Sequence, residues 1–110
     1  MINSRNIIDL SPAVQWRVAQ LLKLSNQCGI DLLITSTYRD SEAQAALYAQ
    51  GRTKPGAIVT NAKPGESWHN WRCAFDVVPL RAGKPVWGTS GPDGVLWRQI
   101  GLMGESVGLE

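Results

Sequence analysis

Ser67-Trp68-His69-Asn70-Trp71-Arg72-Cys73-Ala74-Phe75-Asp76 places the only histidine of the chain seven residues before an aspartate. A histidine nitrogen and a carboxylate held at fixed separation can supply two ligands to one zinc ion. A zinc site takes about four ligands, and about three come from protein where the metal is catalytic. No second histidine is present to complete the commoner sets. Residues Cys73 to Leu80 read as a strand, rich in β-formers and short. Side chains alternate along a strand, so Asp76 shares a face with Ala74 and Val78, while Phe75 and Val77 point the other way. A carboxylate in Phe75-Asp76-Val77-Val78 is costly to bury unless it is paired or bound to a metal. Two readings follow. Either His69 and Asp76 are metal ligands, or Asp76 pairs with Arg39, Arg72 or Arg81 and His69 is a surface loop residue. On spacing alone the second is the commoner outcome.

Working outward, Leu32 to Tyr38 is a second apolar, β-branched run and reads as a buried strand. It leads through Ser36-Thr37-Tyr38-Arg39-Asp40 into a helix from about Ser41 to Gln50. Ser41 and Gln44 form a capping-box pattern that would account for Gln44, and Gly51 ends the helix. At this strand-to-helix junction Arg39 can hold a substrate carboxylate or steady a developing oxyanion. The ordinary alternative is a salt bridge to Asp40, Glu42 or Asp76.

A first helix opens at Leu10-Ser11-Pro12, with Ser11 as cap and Pro12 at the first helical position, and closes by Gly29. Val14, Val18, Leu21, Leu22 and Leu24 recur along it at roughly helical spacing. Residues 51–67 form a glycine- and proline-punctuated loop with a short strand expected at Ile58-Val59-Thr60; the loop carries neither phosphate-binding pattern. Pro85-Val86-Trp87 is expected to pair back across the turn Ala82-Gly83-Lys84. Val95 to Val107 reads as a helix with Leu96, Ile100 and Met103 on one face, weakened by Gly101 and Gly104. Helices and strands mix without regular alternation, which argues for an α+β class.

At 110 residues with 44% hydrophobic content, the chain fits a single domain with a real core. A net charge of +2 and no basic run interleaved with aromatics exclude a nucleic-acid-binding signature. The five tryptophans are scattered and are expected mostly in the core, although Trp68 and Trp71, beside His69, can wall a cleft. Cys28 and Cys73 read as buried free thiols rather than a disulfide framework. The N-terminus has no apolar signal core and no segment is long enough to span a bilayer, so synthesis in the cytoplasm is expected.

These residues resemble one family. Ser67-x-His69 followed by Ala74-x-Asp76 is similar to the Ser-x-His-x-x-Gly-x-Ala-x-Asp zinc motif of VanY-type D-alanyl-D-alanine carboxypeptidases and L-alanyl-D-glutamate endopeptidases, phage endolysins among them. Three further segments match in order: Ser36-Thr37-Tyr38-Arg39 with Gln44, Leu47-Tyr48-Ala49-Gln50-Gly51-Arg52-Thr53, and Ile58-Val59-Thr60-Asn61-Ala62-Lys63-Pro64-Gly65. Together they cover about residues 30–110, and they reverse the odds drawn from spacing alone. The resemblance implies a Hedgehog/DD-peptidase-like α+β fold, with a small antiparallel sheet flanked by helices and one zinc in a cleft. His69 and Asp76 would be metal ligands, and Arg39 a catalytic group that polarises the scissile carbonyl. Arg39, Gln44 and Ser67 would bind substrate. The implied substrate is the peptide of bacterial peptidoglycan. Metal-activated water would attack it with a carboxylate as general base.

The pattern departs from the family at two places. Arg72 stands where the motif has glycine, a position open to a backbone requirement, and its charge near zinc would weaken metal binding. Family members also continue past a Gly-Leu-Glu segment to a motif that supplies the catalytic carboxylate and a third, histidine ligand; Gly108-Leu109-Glu110 matches only its beginning. The expectation is therefore a single peptidase-like domain over residues 1–110, C-terminally shortened, with weak or no catalysis by the monomer. A non-catalytic peptidoglycan-binding module is the alternative. In a third reading Glu110, Cys73 or a group from a second chain completes the metal site, and exposed apolar surface favours a homodimer. The resemblance places the action at the cell wall, reached by phage-type release through a pore.

Overall fold

The computed structural model describes residues Met1 to Leu109. It has three helices, α1 (Pro12–Gln27), α2 (Ser41–Ala49) and α3 (Gly91–Ser106), and three strands, β1 (Asp31–Ser36), β2 (Asp76–Arg81) and β3 (Lys84–Pro85). The strands form one antiparallel sheet in the order β1-β2-β3. This is the α+β class expected. Short 3₁₀ turns at Ile7–Asp9 and Trp68–Trp71 complete the regular elements.

The core lies where α1 and α3 cover one face of the sheet. Leu21, Ile100 and Met103 are buried there, and Leu32, Phe75 and Val77 pack against them. Phe75 and Val77 thus face away from Asp76, as strand alternation requires. Opposite strand partners share a face, and Leu33 sits across from Val78, which is fully buried on the other side of the sheet.

Several local expectations fail for identifiable reasons. Only Trp97 is partly buried among the tryptophans; Trp16, Trp68, Trp71 and Trp87 are all exposed, and the buried core positions are taken by aliphatic side chains and methionine. Cys28 and Cys73 are exposed free thiols, since each lies at an element end rather than on a core face. Ile58-Val59-Thr60 forms no strand; the Thr60 carbonyl is taken by the Arg52 side chain instead. The third strand is only Lys84–Pro85, so the hairpin turn is Ala82-Gly83, with Val86 adding one bond to the Pro79 carbonyl. Helix α3 starts at Gly91, earlier than expected, with Pro92 in its first turn.

Helix α2 begins on Asp40, whose carboxylate accepts from the Ala43 amide at 2.8 Å. This replaces the Ser41–Gln44 capping box and leaves the Gln44 side chain free for another use. Gly51 follows α2 with φ +80°, and a β-carbon there would meet Ile58 at 2.7 Å. Both the backbone angle and the close approach demand glycine.

Truncating the buried Leu21 to Ala should cost about 3 kcal/mol of unfolding free energy, whereas Trp16→Ala should change it by less than about 0.5 kcal/mol. Urea denaturation of the two variants checks this, and equal losses would mean that the core is wrongly placed.

Candidate functional site

The site forms where the end of β1, the 3₁₀ turn and the start of β2 meet. The ladder pairs Ile34 with Val77 and then Ser36 with Asp76, so Thr35 is an extra residue in β1. Such a bulge re-aims the side chains that follow it. Here it sets Ser36 opposite Asp76 and turns the chain toward Arg39.

His69 is carried by the 3₁₀ turn. Ser67 caps this turn, its hydroxyl accepting from the His69 amide at 3.3 Å. The imidazole Nδ1 lies 2.7 Å from the Thr37 carbonyl. A carbonyl only accepts, so Nδ1 carries the proton and the Nε2 lone pair is left for another partner. Asp76 faces that lone pair, with its Oδ1 3.4 Å from Nε2. The imidazole is largely buried, with 12% of its side chain exposed, while that of Asp76 is 54% exposed. With a proton on Nε2 as well, the hydrogen bond from His69 holds the Asp76 carboxyl below its usual range against the opposing effect of burial, with a smaller contribution from the charge of Arg39.

Arg39 is buried, at 9% exposure. One terminal nitrogen donates to Gln44 Oε1 at 2.8 Å, the other to Ser36 Oγ at 3.3 Å, and its Nε has no partner. Its backbone is fixed as well: the Arg39 amide donates to the His69 carbonyl, and the Asn70 amide group donates to the Arg39 carbonyl at 2.8 Å. Gln44 is fully buried; its Nε2 donates to the Ala62 carbonyl at 2.7 Å.

Arg72 resolves the departure from the glycine of the motif. It closes the 3₁₀ turn with φ +63°, the left-handed conformation that glycine adopts most easily. Its guanidinium stacks 3.9 Å over the Tyr38 ring and donates to the Asp9 carbonyl at 2.8 Å. Its charge is engaged there rather than in a bond to His69 or Asp76.

Sequence reasoning missed Thr37, Asn70, Gln50 and Arg52. The first two orient His69 and Arg39. Arg52 donates to the Tyr48 and Thr60 carbonyls and stacks on Tyr48, and Gln50 Nε2 donates to the Ala57 carbonyl, so the glycine-rich loop is folded back onto α2. The Gly51-Arg52-Thr53 match was the available signal for Arg52. Nothing in residue type alone marks Asn70.

An apolar groove of about 640 Å³ lies between α1, α3 and the lead-in to β2, lined by Leu21, Phe75, Val77 and Ile100 among others. His69, Asp76 and Arg39 do not line it. The polar cluster and this groove are thus separate features of the surface.

Comparison with known proteins identifies the family. Residues 7–101 match the VanY family, described as D-alanyl-D-alanine carboxypeptidase. The chain belongs to that family. It is also 41% identical over 80 residues to the peptidoglycan L-alanyl-D-glutamate endopeptidase CwlK of Bacillus subtilis (strain 168). That match covers 72% of this chain and 48% of the relative, so the chain spans about half the length of the relative it matches.

The donor set fits a zinc ion in part. Two ligand atoms about 2.0–2.2 Å from one tetrahedral zinc lie roughly 3.4 Å apart, the separation seen between His69 Nε2 and Asp76 Oδ1. Two acceptors facing each other at that distance call for a cation or a proton between them. Among the described residues no group of three or more His, Cys, Asp and Glu residues converges. Cys73 donates its thiol to the Trp71 carbonyl at 3.2 Å, Glu105 lines the apolar groove, and Glu110 lies outside the described residues.

In metal-free protein, Asp76 should contribute stability that is present above about pH 4 and lost as pH falls through its lowered native value. Asp76→Asn should flatten that acid-side slope in urea titrations run in chelator. An unchanged slope would show that the His69 contact does not hold the carboxylate.

Proposed function

We propose that this chain serves a zinc-dependent peptidase acting on the peptide stem of bacterial peptidoglycan, and that His69 and Asp76 hold the metal. The observation that carries the reading is the facing pair His69 Nε2 and Asp76 Oδ1 at 3.4 Å, with buried Arg39 close enough to influence the carboxylate electrostatically. Family membership and the name of the relative support the substrate class. When bound, zinc supplies Lewis acidity toward a peptide carbonyl and toward water.

The protein's own groups prepare that chemistry. The His69 Nδ1–H donates a hydrogen bond to the Thr37 carbonyl, which fixes the tautomer and ring orientation that leave Nε2 as a ligand. Asp76 supplies the facing carboxylate, its Oδ1 3.4 Å from Nε2. Arg39 carries a charge that no carboxylate of the described residues neutralises at ion-pair distance. It is the group suited to a carboxylate or developing oxyanion of the stem peptide. Ser67 acts by capping the turn that presents His69.

A peptidoglycan-binding module without hydrolysis is the second reading. It is favoured by one observation, that the described residues bring two metal donors together rather than three. In this reading Arg39 and the exposed Trp68 and Trp71 hold wall material.

Zinc competition with a chromophoric chelator tests the metal site. His69→Ala and Asp76→Asn are each expected to weaken zinc binding by at least about ten-fold; equal affinity in all three proteins would remove His69 and Asp76 from the metal site. Chelator-sensitive release of peptide fragments from purified peptidoglycan supports hydrolysis. Retention on peptidoglycan that needs Arg39, with no release, supports the binding module.

A further inference from the structure

Gln44 is the largest fully buried side chain of the protein. A primary amide is expensive to bury unless both its ends are bonded. Here both are: Oε1 accepts from Arg39 at 2.8 Å, and Nε2 donates to the Ala62 carbonyl at 2.7 Å and reaches Thr60 Oγ1 at 3.5 Å. The α2 cap does not use it, because Asp40 performs that task. A side chain with no exposed surface and both ends engaged is poorly placed to touch a ligand.

Arg39 shows what Gln44 is for. A buried guanidinium ordinarily pairs with a carboxylate. Among the described residues no carboxylate lies within ion-pair distance of Arg39, and both its side-chain partners, Gln44 Oε1 and Ser36 Oγ, are neutral. A neutral acceptor fixes the direction of a guanidinium without cancelling its charge. A carboxylate in the same place would fix it and cancel it. Gln44 also ties Arg39 to the loop through Ala62, and Arg52 ties the same loop to α2 through Thr60.

We propose that Gln44 is a positioning residue: it aims Arg39 through a neutral hydrogen bond while leaving the guanidinium charge for an anionic group of the bound peptide. This rests on the reading of Arg39 as a substrate-binding group.

The test is the affinity of zinc-loaded full chain for acetyl-D-alanyl-D-alanine and acetyl-L-alanyl-D-glutamate, each as free acid and as amide. The wild type should prefer the acids, and Arg39→Ala should abolish that preference. Gln44→Glu, nearly identical in shape, should lower the acid-over-amide ratio about ten-fold, and Gln44→Met should lower it as well. Zinc affinity should be unchanged in both, and adding Gln44→Glu to Arg39→Ala should lower the ratio no further. A purely structural Gln44 would shift the melting temperature and leave the ratio alone. A ratio lost in Arg39→Ala but kept in folded Gln44→Glu and Gln44→Met overturns the proposal alone. A ratio kept in Arg39→Ala overturns the substrate reading of Arg39, and this proposal with it.

Discussion

Two hydrogen bonds running in opposite directions between the end of β1 and the 3₁₀ turn hold the site together. The Arg39 amide donates to the His69 carbonyl, and the His69 ring donates back to the Thr37 carbonyl. They join segments about thirty residues apart in sequence, and each fixes a different property. The first places the histidine backbone against the strand exit. The second selects the ring tautomer, without which Nε2 could not serve as a metal ligand. Since Thr37 is fully buried, its carbonyl is shielded from competing water, which strengthens the preference. The bulge at Thr35 then brings Asp76 to the same place from the neighbouring strand.

Much of this was legible in the sequence because it depends on periodicity. The first two helices and the two main strands appear within a few residues of their expected limits, and alternation along β2 put Asp76 opposite in direction to Phe75 and Val77. The convergence of His69 and Asp76 was legible only through the family motif, since spacing alone favoured ordinary pairing. Burial was the least legible property. The tryptophans were expected mostly in the core, yet four of the five lie on the surface, while Gln44, Thr37, Ser36 and Arg39 are buried. Hydrophobicity ranks residues by transfer cost, but a polar side chain whose bonds are all met can be buried where a large ring does not fit. Gln44 illustrates the limit: its capping-box spacing was real, yet Asp40, one residue earlier, offered the better cap.

The arginine in the glycine position of the metal motif shows how backbone and charge can be reconciled. A left-handed non-glycine residue costs of order 1 kcal/mol, and a cation beside a metal would add repulsion. The left-handed angle at Arg72 turns the chain sharply out of the 3₁₀ turn and sends its side chain to Tyr38 and Asp9. A guanidinium stacked on an aromatic ring and bonded to a carbonyl recovers about the same order of free energy. The strain and the charge are therefore answered by one placement, which links the 3₁₀ turn to the N-terminal segment as well. Glycine in the motif reflects the backbone angle that the turn from His69 to Asp76 requires. Any residue able to tolerate that angle and direct its side chain outward preserves the geometry of His69 and Asp76.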